Sequence, residues 1–268
     1  MSLGPWLDRV LKLNELDPQR YTTSYLLQPK FHAAFRLLLF TYALSVALAA
    51  FIQNALLGQA WHFLFYYTHL SYMALTLYLG LAGLYTLAYA LQPPEYPEPR
   101  LLPCGSWAFR SLSILYMIVV AAHCFVPVVY WLFLYDPNHQ PSPASLWTNI
   151  SQHGGDTLLL LLEISSSRIL FRFRDLLPAT LSVLIYIPWM WMSYVWKHFW
   201  IYPPFALGPG SGPWIAYFGA FLSILILQVV MVGLHRVREF LGQLGGRWEQ
   251  AEDARIAKCT YPKSITIV

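Results

Sequence analysis

The sequence predicts an all-α integral membrane protein, a six-helix bundle with both termini cytoplasmic. Three observations carry that expectation. Of the 268 residues, 57% are hydrophobic and only 11% are charged, against about 25% charged in a soluble domain. The mean hydropathy is +0.46. Lysine and arginine are also confined to alternate connections between apolar runs.

Six segments reach the roughly 20 residues that cross a bilayer: 31–52, 62–91, 108–135, 148–171, 177–200 and 213–237. The second is longer than a perpendicular crossing needs and is expected to tilt. Pro127 in the third and Pro188 in the fifth are expected to disturb their helices. Residues 1–30 form a polar arm with no leader-like apolar run. Leu3, Trp6, Leu7, Val10 and Leu11 recur there at helical spacing, which suits either a headgroup-level helix or one packed on the protein's own face. Residues 31–240 are the transmembrane domain and 241–268 a cytoplasmic tail.

The basic residues orient the chain. Arg9, Lys12, Arg20 and Lys30 precede the first span; Arg100 and Arg110 flank the second connection; Arg168, Arg172 and Arg174 lie in the fourth; six more follow Val237 or sit just before it. The first, third and fifth connections carry none, apart from Lys197 at the edge of the fifth span. The basic side is cytoplasmic by the positive-inside rule. Trp61, Tyr66, Trp131, Trp147, Trp196 and Trp200 then cluster toward the outer face as an interfacial belt. The net charge of +4 is spread over span ends rather than gathered in a stripe, so nucleic acid is not an expected partner; membrane lipids are. Cys104, Cys124 and Cys259 fit no metal spacing or disulfide framework; Cys124 reads as core, the other two at most as palmitoylation sites. No cofactor and no metal is expected. The sequon Asn149-Ile150-Ser151 lies at a membrane edge, where it should escape glycosylation, and Asn149 reads as a helix-start residue.

Chemistry is sought among polar residues inside the spans, where burial is expensive. Thr68 lies roughly 9 Å inward from the outer end of the second span and His153 about 7–8 Å inward from the outer end of the fourth, at 1.5 Å per residue. A threonine hydroxyl needs a base to act as nucleophile, and histidine supplies one. Asp156, three residues on, would share the helical face of His153 and could orient it. Gly154 and Gly155, in the first turns, would let a substrate approach helix N-terminal amides. His69 is a further candidate beside Thr68. Glu163 and Arg36 lie deeper, at comparable depth near the cytoplasmic side, and read as a structural charge pair. His123, mid-way along the third span, could join either cluster. Each of these residues has a bland alternative: a threonine bonding its own helix backbone, a packing histidine. A haem or transport reading is disfavoured because the histidines are mostly single per span and no repeat is present.

Several motifs together resemble a known family. Trp147-x-Asn149-x-x-x-His153, with Glu163 ten residues later, is similar to a string in fungal members of the androgen-induced-protein (FAR/AIG-like) family of multi-pass membrane proteins. Tyr66-Tyr67-Thr68 resembles that family's aromatic-aromatic-Thr motif, Val129-Tyr130-Trp131 its third span, and Trp200-Ile201-Tyr202-Pro203 its Trp-Val-Tyr-Pro segment. The likeness spans residues 30–240 and is shared in part with rolling-stone-like membrane proteins. It departs at Asp156, where the fungal pattern commonly has Asn, and at the second proline, Pro204. The resemblance implies an intramembrane hydrolase of lipid esters, fatty acid esters of hydroxy fatty acids, with an apolar acyl-ester substrate. The nucleophile and base would fall on Thr68 and His153, in the endoplasmic reticulum or the plasma membrane. The alternative is a non-enzymatic scaffold or lipid-binding protein.

Overall fold

A computed structural model describes residues 11–93, 99–135, 142–206 and 212–244. Among these residues the chain is helical, with no strands. Five helical runs are long and apolar enough to cross a membrane: Pro29–Leu56, Tyr67–Leu91, Trp107–Leu134, Phe173–Lys197 and Gly212–Leu244.

The first long helix, α1 (Pro29–Leu56), starts with proline at its first position, where the missing N–H costs nothing. It stops at Gly58, whose φ of +69° glycine alone adopts readily. A short turn, Ala60–Phe63, separates it from α2 (Tyr67–Leu91). The second span therefore begins at Tyr67, not at residue 62: Tyr66 is extended and breaks the helix. Gln92, extended before Pro93, ends α2. α1 and α2 approach closely because Gly80 and Gly83 leave room for the Phe40 and Leu37 side chains; a Cβ on either glycine would lie 2.9 Å from them.

α3 (Trp107–Val129) is capped by Ser106, whose hydroxyl accepts from the Phe109 amide at 3.2 Å. It is the central post: 67% of its most apolar stretch is buried, against 17–44% for the other four runs. Pro127 lacks the N–H that would reach the His123 carbonyl. The Thr157 hydroxyl donates to that carbonyl instead, at 2.8 Å, a repair across helices of the kind buried prolines require. Beyond Val129 the helix widens into a π segment, Tyr130–Leu134.

The fourth predicted span is a continuous helical run over residues 143–166, but it is not among the five runs that are long and apolar enough to cross. It consists of α4 (Pro143–Ile150), a π segment (Ser151–Gly155) and α5 (Asp156–Ser166). Its start is capped by Ser142, which accepts from the Ser145 amide at 3.2 Å. Asn149 therefore sits in the last turn of α4 rather than at a helix start. The run packs on α1 through Tyr42 Oη–Ser151 Oγ (2.8 Å) and Thr148 Oγ1 donating to Gln53 (3.1 Å). α6 (Leu176–Lys197) and α7 (Gly212–Leu244) complete the bundle, each packed on α3. Their other faces carry exposed Leu181, Ile185, Val195, Ile215, Phe218 and Val230. An apolar surface of that extent is tolerable in lipid and not in water.

At the end that holds the chain's basic residues, Arg36 meets Glu163 in a fully buried ion pair. Arg36 Nε donates to Glu163 Oε2 at 3.0 Å and Nη2 to Oε1 at 2.5 Å. Tyr78 donates to the same carboxylate at 2.7 Å. Arg36 Nη1 reaches the Thr86 hydroxyl (2.6 Å) and the carbonyl of Tyr21 in the N-terminal arm. The arm is not a separate layer. Leu11, Leu13, Leu16 and Tyr21 belong to the main core, while Leu3, Trp6, Leu7 and Val10 lie outside the described residues. Arg20 and Tyr25 bind Glu239 of α7 (2.9 and 2.6 Å), and Arg238 donates to the carbonyls of Ile164, Ser167 and Ile169. Residues 245–268 of the tail lie outside the description.

Candidate active site at the end opposite the buried ion pair

At the opposite end, the connection after α1 is pinned to α6 by aromatic donors. Trp189 Nε1 gives its proton to the Leu64 carbonyl (2.8 Å) and Tyr186 gives its own to the Phe65 carbonyl (2.6 Å). Those two bonds set where α2 begins, and with it Thr68, the second residue of the helix. Thr68 is thus in the first turn, not six residues along a span. First-turn amides have no intrahelical acceptor and lie at the positive end of the helix dipole.

Thr68 and His153, 85 residues apart in sequence, line one cavity of about 440 Å3. Its floor is polar: Thr68, Thr148, Gln152 and His153 are buried and His69 is half-buried. Its rim is formed by exposed Leu57, Gln59 and Pro203. His69 stacks on Phe63 with ring centroids 4.4 Å apart. Of the buried polar atoms on the floor, His153 Nδ1 has no hydrogen-bond partner among the described residues, and the His69 and Gln152 side chains lie against each other. An unpaired buried polar atom costs about 1–3 kcal/mol, so the cavity favours a polar guest.

A second cleft, narrow and almost wholly apolar, opens on the other side of Thr68. Phe125, Val129, Leu184, Ile187 and Phe221 of α3, α6 and α7 line it. The two spaces share four side chains: Thr68, Tyr130, Leu134 and Tyr202. Thr68 accordingly stands where a polar chamber meets an apolar slot.

The orientation of His153 corrects the sequence reading. Asp156 does not touch it. The π segment winds with more residues per turn than an α-helix, which widens the angle between positions 153 and 156, and Asp156 turns away toward α3. Asp156 instead binds His123 of α3, Oδ2 to Nδ1 at 2.8 Å, and His123 Nε2 donates to the Ser71 carbonyl at 3.0 Å. Those bonds tie α2, α3 and α5 together below the site. The imidazole of His153 is held by stacking on Tyr130, with centroids 3.5 Å apart and planes 2° from parallel. Its carbonyl accepts from Trp131 Nε1 at 2.6 Å. Both partners come from the π segment that ends α3, so two π segments face each other across the site; such segments recur at functional sites. Gly154 and Gly155 lie inside the helical run, eleven and twelve residues after its start at Pro143, and not at an open N-terminus. Gly154 and Gly155 therefore present no open helix N-terminus to a substrate. Tyr130 and His123 are the residues whose part the sequence did not assign; His123 was visible as a mid-span histidine, Tyr130 as part of Val129-Tyr130-Trp131.

The composition and the five apolar runs define a helical multi-pass integral membrane protein. Compared with protein-family models, with curated proteins and with solved structures, the chain matches none.

Proposed function

We propose that this protein is an intramembrane hydrolase of lipid esters, with Thr68 as nucleophile and His153 as its base. The observation that supports this most is the shared wall of the two spaces. An acyl ester needs an apolar slot for its chain, a polar chamber for its alcohol and for water, and a nucleophile between them. Thr68 stands at that junction, with His153 on the polar side. His153 would take the threonine proton as Oγ1 attacks the ester carbonyl and return it to the departing alcohol; water entering past Leu57 and Gln59 would then release the acyl group. Esters of long hydroxylated fatty acids suit both compartments. The organelle proposed is the endoplasmic reticulum or the plasma membrane.

The test is direct. Purified full-length protein in detergent should hydrolyse a long-chain acyl ester and react with a fluorophosphonate, the adduct mapping to Thr68. An ester that binds without turning over, and no adduct, would make this a lipid-binding protein.

The reading also includes six crossings with cytoplasmic termini, the run 143–166 being the fourth. It is supported by the one-sided lysines and arginines and by a length of about 36 Å for 24 helical residues. Protease should reach tags at residues 1 and 268 only from the cytosolic side, and a tag in the 136–141 loop only from the other; a luminal terminus would place the cavity on the cytosolic side instead.

A further inference from the structure

The mechanism leaves the developing negative charge on the ester oxygen without a side-chain donor, and it leaves the segment Trp200-Ile201-Tyr202-Pro203 without a role. Both gaps meet at one hydroxyl. The amide of Tyr67 donates to two phenols at once, Tyr186 and Tyr202, each at 3.1 Å. Tyr186 spends its own proton on the Phe65 carbonyl at 2.6 Å. Among the described residues the Tyr202 hydroxyl has no backbone acceptor of that kind. Its hydroxyl lies near the Thr68 side chain and Tyr186, and Tyr202 is one of the four residues lining both spaces. Its oxygen is therefore anchored by the Tyr67 amide at the boundary of the two spaces, beside Thr68.

We propose that Tyr202 is the oxyanion donor of the reaction, a catalytic residue carried by the loop between α6 and α7. This rests on Thr68 being the nucleophile. As the bond from Thr68 Oγ1 to the carbonyl carbon forms, the carbonyl π pair moves onto oxygen and the threonine proton passes to His153. The Tyr202 O–H hydrogen-bonds that oxygen without giving up its proton. When the C=O re-forms, the C–O bond to the alcohol breaks and the alkoxide takes the proton from His153. Water repeats the sequence on the acyl-threonine and frees the acid. The first-turn amides of α2 would add to the same stabilisation. Burial pushes the Tyr202 phenol up to about 12, so it stays protonated, and remains a donor, throughout the neutral range. The loop position explains why the phenol can be so near the chemistry while its residue number is 134 away from Thr68.

The experiment uses full-length protein in detergent and Tyr202→Phe, which removes one oxygen and keeps the ring. Loss of an oxyanion donor lowers kcat by about 100- to 1000-fold; KM should move by less than about threefold, since the bond strengthens only in the transition state. A matched thionoester gives the second readout, because sulfur accepts hydrogen bonds poorly. Wild type should prefer the oxoester strongly, and Tyr202→Phe should lose most of that preference. A kcat within about threefold of wild type, or an unchanged oxoester-to-thionoester ratio, overturns the proposal. If Tyr202→Phe does not fold, 3,5-difluorotyrosine at position 202 keeps the hydroxyl and its anchor while acidifying it. The alkaline limb of kcat should then move to lower pH, and an unmoved limb overturns the proposal equally. The two roles separate cleanly. Activity that survives in Thr68→Ala removes the nucleophile and Tyr202 with it; activity lost in Thr68→Ala but kept in Tyr202→Phe removes Tyr202 alone.

Discussion

Thr68→Val should lower ester turnover by roughly 1000-fold or more, and His153→Ala by about 100- to 10,000-fold. Valine matches the shape of threonine without the hydroxyl, so the packing of the first turn of α2 is kept while the attacking oxygen is lost. Thr68→Ser should retain measurable turnover, because it keeps that oxygen. The double variant should be no slower than the worse single one, since nucleophile and base act as a unit and their effects do not add. His153→Ala also removes the ring that stacks on Tyr130. Its thermal transition in detergent must therefore be compared with that of wild type before the rate is interpreted. Full turnover in Thr68→Val, with the protein folded, would end the threonine mechanism.

The largest stability effect belongs to the charge pair at the other end. Arg36 and Glu163 are both wholly buried. Removing one charge strands the other, which costs about 3–5 kcal/mol. Glu163→Leu and Arg36→Met should each sharply reduce the yield of folded protein and its resistance to heating in detergent. The double variant should recover most of the loss, because two apolar side chains of similar size need no compensation. Tyr78→Phe, which deletes one hydrogen bond to the carboxylate, should cost only about 1 kcal/mol. Either single variant being as heat-resistant as wild type would show that the pair does not hold the bundle. A Glu163 variant of normal stability that lost ester turnover would make the carboxylate part of a proton path.

How much of this was legible in the sequence can be judged residue by residue. Apolar run length located the five long helices, because in lipid every backbone group must be satisfied within its own segment. The start of α2 was misplaced because Phe63, Leu64 and Phe65 carry the apolar run unbroken across the true boundary. What breaks the chain there is the pull of Trp189 and Tyr186 on the Leu64 and Phe65 carbonyls, a tertiary cause. Thr68 and His153 were singled out by depth and chemistry; both line one cavity, but no hydrogen bond joins them. Asp156 was given to the wrong histidine because 3.6-residue periodicity was assumed across a stretch that winds as a π segment. Nothing local in Ser151-Gln152-His153-Gly154-Gly155 announces that winding, apart from two glycines with low helix propensity. The stack on Tyr130 and the approach of Tyr202 depend on loops and on a second π segment, and pattern reasoning has no access to either.

The Arg36–Glu163 pair also bears on the order of biosynthesis. Arg36 leaves the ribosome 127 residues ahead of Glu163, about 6–25 s at 5–20 residues per second. Throughout that interval α1 holds an arginine whose partner has not been made. The side chain can meanwhile stay hydrated by reaching back to the interface, seven residues from the start of its helix. Until residues 143–166 arrive with the carboxylate, only the Tyr21 carbonyl and the Thr86 hydroxyl can meet the arginine, so membrane entry and tertiary assembly are expected to be coupled for the first helix.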